Sequence, residues 1–68
     1  MKISLSQHAC WRAKQRFNLS IDDVVAILGK EKIESMSRGE HTIDIDGVSF
    51  ILDRKRTRAV VITVRKSK

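Results

Sequence analysis

His8, Arg12 and Arg16 recur at i, i+4 and i+8 within Gln7–Phe17, a spacing that lines all three along one side of a helix. Histidine exchanges a proton near neutral pH, and a guanidinium one turn away can grip a phosphate. Cleaving RNA without a metal asks three things of a protein. A proton must leave the 2′-hydroxyl, fixed cations must stabilise the pentacovalent phosphorane, and the 5′-oxygen must gain a proton. His8 and Arg12, with Lys55 or Arg56, would cover those tasks if the fold gathers them. The plainer alternative for His8 is a solvated place on an exposed helix face. His41 falls at the start of a strand opposite Leu52, where a structural role is the better reading.

A second group of cations lies far along the chain. Half of the 14 Lys and Arg residues fall near the C-terminus, as Arg54, Lys55, Arg56, Arg58, Arg65, Lys66 and Lys68, around the apolar run Ala59 to Val64. The first four read as a hairpin tip. A solvated tip that discourages edge association is their ordinary role, but four cations so close together exceed that need. Trp11 stands off the apolar face of its helix, towards Lys14 and His8, so it stacks on a base, packs against a partner protein or, as the plainer alternative, packs on the second helix. With no Tyr and only Phe17 and Phe50 besides, the sheet lacks the aromatic platform of an RRM-type binder.

Composition bounds the partners. The chain has 68 residues, a net charge of +6 and a pI near 10.1, enough for one small domain that favours an acidic partner: nucleic acid, an acidic protein or an anionic surface. One cysteine, Cys10, builds neither an internal disulfide nor a cysteine zinc site. The absence of a signal-like stretch and of eighteen consecutive apolar residues predicts a cytoplasmic protein with no membrane partner.

The elements that must position these residues are legible in the pattern. Lys2 to Leu5 alternates as a short edge strand, and Ser6 stands as N-cap of a helix that buries Ala9, Cys10, Ala13 and Phe17. Ser20 and Asp23 form a capping box, Leu19 and Val24 a hydrophobic staple, and Gly29 ends a second helix that buries Ile21, Val24, Val25 and Ile27 or Leu28. The period then changes to two, predicting strands at Ile33–Met36, His41–Ile45, Val48–Asp53 and Arg58–Arg65. The expected fold is α+β: two N-terminal helices packed on a four-stranded antiparallel sheet, with the N-terminal strand as an added edge, all in one domain over 1–68.

Asp46-Gly47 is a type I′ hairpin signal. It pairs Ile45 with Val48, Ile43 with Phe50 and His41 with Leu52 on the helix-covered face, leaving Thr42, Asp44, Ser49, Ile51 and Asp53 on the other. The last strand admits two phases, with Val60, Ile62 and Val64 inward or with Val61 and Thr63 inward. In the first phase Thr63 and Arg65 reach the uncovered face, where a ligand would sit. Lys66 to Lys68 reads as a frayed end.

The segment Ser6 to Val24, read as S-Q-H-A-C-W-R-A-K-Q-R-F-N-L-S-I-D-D-V, resembles the S-x-H-A-x-x-R-x-x-x-R-x-x-[IL]-S-x-x-[DE]-[IV] opening of the proteins grouped as domain of unknown function 4258. Those proteins are similar to the superfold of barnase, EndoU, colicin and RelE nucleases. The resemblance implies His8 in proton transfer, Arg12 and Arg16 on the scissile phosphate, and Thr63 as the hydroxyl residue of the last strand that orients it. Arg65 stands where the family often carries an aromatic residue.

Together these readings predict a small basic RNA-interacting protein, a metal-independent ribonuclease of toxin type that uses no cofactor. Arg16, Arg54, Lys55, Arg56, Arg58 and Arg65 would hold nucleic acid, RNA before DNA, and an acidic antitoxin or immunity protein would be its natural protein partner. Two alternatives share the scaffold: a non-enzymatic nucleic-acid-binding module, and a protein-binding inhibitor of the kind phages and mobile elements carry.

Overall fold

Both helices start where their serines place them. In the computed structural model, which describes residues 2–67, the Ser6 Oγ accepts the Ala9 N–H at 3.1 Å and opens α1, Gln7–Phe17. Asn18 closes it at φ 54°, a left-handed conformation that Asn tolerates better than most residues. Ser20 and Asp23 make the reciprocal capping box at the start of α2, Ile21–Gly29. The Asp23 carboxyl is held below its ordinary pKa, chiefly by the backbone N–H of Ser20, then by the Ser20 hydroxyl.

Four strands, β1 (Lys2–Leu5), β2 (Gly39–Ile45), β3 (Val48–Arg54) and β4 (Arg58–Lys66), form one sheet in the order β1-β4-β3-β2. The fold is α+β with two helices, and the sheet is mixed: β1 runs parallel to β4, the other pairs antiparallel. This corrects the all-antiparallel expectation at two points. Ile33–Ser35 is a single 3-10 turn, not a strand. Its apolar residues Ile33 and Met36 are three apart; an extended chain would send them to opposite faces, whereas a 3-10 turn points both at the core. The fourth strand is instead β1. It completes the sheet by pairing with β4, an interior strand whose stretch Ala59 to Val64 is apolar but for Thr63.

The Asp46-Gly47 turn has φ 50° and 81°, and the predicted β2–β3 register holds from Ile45↔Val48 to His41↔Leu52. For β4 the structure uses both phases. Leu52 pairs with Val61 and Ile51 with Thr63, so Ile62 is an extra residue in a bulge. Ala59 and Val61 on one side of the bulge, and Val64 on the other, all reach the core, while Ile62 is exposed.

The core lies between this sheet face and the helices. Phe50, Leu52, Val61 and Val64 meet Ala9, Ala13, Val24, Leu28 and Ile33 in one cluster. Two small residues on α1 let the helix backbone sit close to β4, and the larger side chains come from α2 and the sheet. Ile21, expected inside, is more than half exposed; Val24 and Leu28, four apart, are the fully buried residues of α2. Lys66 ends β4 and is not frayed, with the Ser67 N–H donating to the Gly47 carbonyl at 3.0 Å; Lys68 lies outside the described residues. Among the described residues, no helix is long and apolar enough to cross a membrane.

Candidate nucleic-acid interface

The start of α1 is stitched to the bulge. The Ser6 N–H donates to the Val61 carbonyl at 2.9 Å, continuing the β1–β4 ladder by one step, and its hydroxyl donates to the Ile62 carbonyl at 2.8 Å. The bulge turns that carbonyl out of the ladder and Ser6 satisfies it. One serine therefore caps the helix and fixes where its first turn leaves the sheet.

That first turn presents His8, which is exposed, and Trp11, which is 55% exposed. Their ring centroids are 6.3 Å apart at 38°, and the Arg12 guanidinium carbon lies 5.7 Å from the centre of the indole. Arg12 is half-buried, and its Nε is shut away from solvent with no hydrogen-bond partner. Further along, Lys14 donates to the Asn18 side chain at 3.2 Å and Arg16 is exposed. No Asp or Glu occurs on α1.

The hairpin tip is different. The Arg54 Nε donates to the Ile33 carbonyl at 3.3 Å, Nη1 to the carbonyls of Lys55 and, at 3.0 Å, Arg56, and Nη2 to the Glu34 carbonyl at 3.5 Å. This side chain ties the β3–β4 turn to the 3-10 turn. Lys55 pairs with Asp53 at 2.7 Å. Of the four tip cations, Arg56 and Arg58 are exposed, and their side chains make no hydrogen bond or ion pair among the described residues.

Strand register decides what shares the uncovered sheet face. Asp44, Ser49 and Arg65 form one row, Thr42, Ile51 and Thr63 the next, and Glu40, Asp53, Val60 and Ser4 a third. Ser49 is buried, and its Oγ donates to Asp44. Three carboxylates thus lie on the face expected to receive a polyanion. Cations stand at its ends: Lys2 beside Arg58 at one, Arg65 at the other. With Ile62 bulged, six ladder steps separate Arg58 from Arg65, about 20 Å at ordinary strand rise.

Of the predicted catalytic residues, His8 and Arg12 are neighbours on α1. Thr63 is half-buried on the sheet face turned away from the helices, and no hydrogen bond joins it to either among the described residues. His41 takes the structural part expected of it, its Nε2 donating to the Ser37 carbonyl at 2.7 Å. Lys2 joins these cations only through the β1–β4 pairing, which sets it beside Arg58; the cue in the sequence is the largely apolar stretch of β4.

No family model, no curated protein and no solved structure matches this chain.

Proposed function

We propose that this protein is a small RNA-binding domain that holds its ligand along the outer side of α1. The observation that carries the reading is the uncompensated charge of that helix. Arg12, Lys14 and Arg16, with His8 at the N-terminal end, share one element with no carboxylate, and the side chains of Arg12 and Arg16 meet no acceptor among the described residues. A helix of this kind gains most from a phosphate backbone, which supplies acceptors to the guanidinium groups and releases counterions as it docks. The sheet face, with Glu40, Asp44 and Asp53, is the poorer surface; Arg56, Arg58 and Arg65 at its ends would hold flanking phosphates.

A second reading, metal-independent cleavage of the bound RNA in the manner of a RelE-like or barnase-like toxin, is favoured by the adjacency of His8 and Arg12. His8 would move the proton and Arg12 and Arg16 would neutralise the phosphate, while Thr63 would need a substrate that reaches round β4 at the bulge. An acidic antitoxin or immunity protein would cover the same cations. The motif at Ser6 to Val24 supports this reading, and the inhibitor alternative would use the same face on a protein.

Anisotropy titration of a labelled RNA across a salt series tests the first reading: affinity falls steeply with salt, and falls again in Arg12→Gln/Arg16→Gln. Salt-independent or absent binding would refute it. Incubation with RNA in EDTA tests the second, and full cleavage by His8→Ala would remove His8 from the chemistry.

A further inference from the structure

Trp11 is the only tryptophan in the chain and the only exposed aromatic residue beyond histidine; Phe50 is buried and Phe17 half-buried. A 68-residue domain has little apolar surface to spend, and each large side chain left outside forfeits stabilisation that burial would supply. Yet the largest is left 55% exposed on the one helix that carries cations and no carboxylate.

We infer that Trp11 is a stacking platform for one unpaired base, so that the protein selects single-stranded RNA; this rests on the RNA-binding reading above. Three features converge on the indole. The Arg12 guanidinium lies over the ring, 5.7 Å from its centre, a cation–π contact that takes one face of the indole and would set a base on the opposite face. His8 lies with its ring centroid 6.3 Å from that of the indole, tilted by 38°. Arg16 follows Arg12 by one turn and can take a phosphate next to that of the stacked nucleotide. Stacking on a single aromatic beside guanidinium groups accepts any base, since every base has a π face, and it requires that the base be free of a duplex. Selection by strandedness and not by sequence follows from a platform that stacks on any π face and reads no base edge.

The same residue is its own reporter. With no Tyr and one Trp, the intrinsic fluorescence excited at the red edge comes from Trp11 alone. A single-stranded oligoribonucleotide, the same sequence as a duplex, and inorganic polyphosphate are titrated in parallel. Expected is quenching with a blocked or shifted emission for the single strand only, with polyphosphate binding by charge and leaving the indole signal largely unchanged. Trp11→Ala is expected to weaken single-strand binding on the order of ten- to a hundredfold, to leave polyphosphate affinity as it was, and to lose the preference over duplex; Trp11→Phe should recover most of it. Circular dichroism of each variant checks the fold, which an exposed position should not disturb. Equal affinity of Trp11→Ala and the parent protein for the single strand overturns the platform while leaving RNA binding standing. Absence of RNA binding by the parent protein overturns both. A protein partner that buries Trp11 and leaves no RNA affinity would show that the indole serves a protein interface instead.

Discussion

The two densest groups of positive charge in this molecule are arranged in opposite ways. At the β3–β4 tip, Arg54 is spent on four carbonyls and Lys55 on Asp53, so half of the cluster holds the turn together. On α1, the side chains of Arg12 and Arg16 have no acceptor among the described residues, and the Lys14 ammonium bonds only to the Asn18 side chain among them. Charge counted along a sequence is the same in both places, but the charge left over for a ligand is not. The helix, with fewer cations, is the better surface because the fold leaves them unused.

The sharpest test of that contrast is a charge swap between regions. Neutralising Arg12, Lys14 and Arg16 to Gln should lower the slope of log affinity against log salt by about 2, at roughly 0.7 per lost phosphate contact on a single strand. It should leave the urea midpoint nearly unchanged. Neutralising Arg56 and Arg58 should lower the slope by about 1 or less. If the tip pair proves the larger, the assignment of the interface to α1 fails.

Stability should divide the regions the other way. Arg54→Ala removes several bonds from one guanidinium and leaves the Ile33 and Glu34 carbonyls to find other partners, a loss of about 1.5–3 kcal/mol in urea unfolding. RNA affinity should hardly move. Arg12→Ala should cost less stability, because the hydrogen bond of its Nε is already unmade. A stability loss for Arg12→Ala equal to that of Arg54→Ala would mean that the helix cation is structural as well.

Much of this could be read from the chain and some could not, for definite reasons. Ser6, Ser20 and Asp23 declared both helix starts, and Asp46-Gly47 fixed the β2–β3 register, because each depends on local chemistry that no distant contact overrides. The parallel pairing of β1 with β4 is a contact across fifty-six positions in sequence, Lys2 with Arg58, and only the largely apolar run of β4 hinted at it. The bulge at Ile62 was invisible for a related reason: a uniformly apolar strand fits either phase, so tertiary packing chose both. The candidate site was legible as residue types on α1. What the tip cations were already bonded to was not legible, since the carbonyls of Ile33 and Glu34 are about twenty residues away.

Ser6→Ala should give a smaller effect than Arg54→Ala, about 1 kcal/mol for the lost cap, with more if the Ile62 carbonyl stays unpaired. It also loosens the point from which α1 leaves the bulge. The comparison therefore predicts a paired loss, of stability and of affinity at the His8–Trp11 end, that no tip variant reproduces. Thermal unfolding and the anisotropy titration read the two effects separately, and unaltered RNA affinity would mean that the stitch to β4 does not position the interface.

The smallest expected effect contrasts the two helix starts. The first turn of α1 has no acidic residue, whereas α2 has Asp22 and Asp23, and Asp23 is hydrogen-bonded to Ser20. Because folding lowers the Asp23 pKa, its ionised form is favoured in the native state, and the stabilisation is fully present above the unfolded pKa of about 3.9. It is lost as pH falls below that value through the lower folded pKa. Asp23→Asn should therefore flatten the part of the stability profile that drops below about pH 4, with the urea midpoint measured at several pH values. Ser6→Ala should shift the whole profile by a constant amount, since a hydroxyl cap does not titrate in this range. If Asp23→Asn also shifts the profile uniformly, the side chain acts at α2 as a neutral cap would, and the electrostatic distinction between the two helix starts is lost.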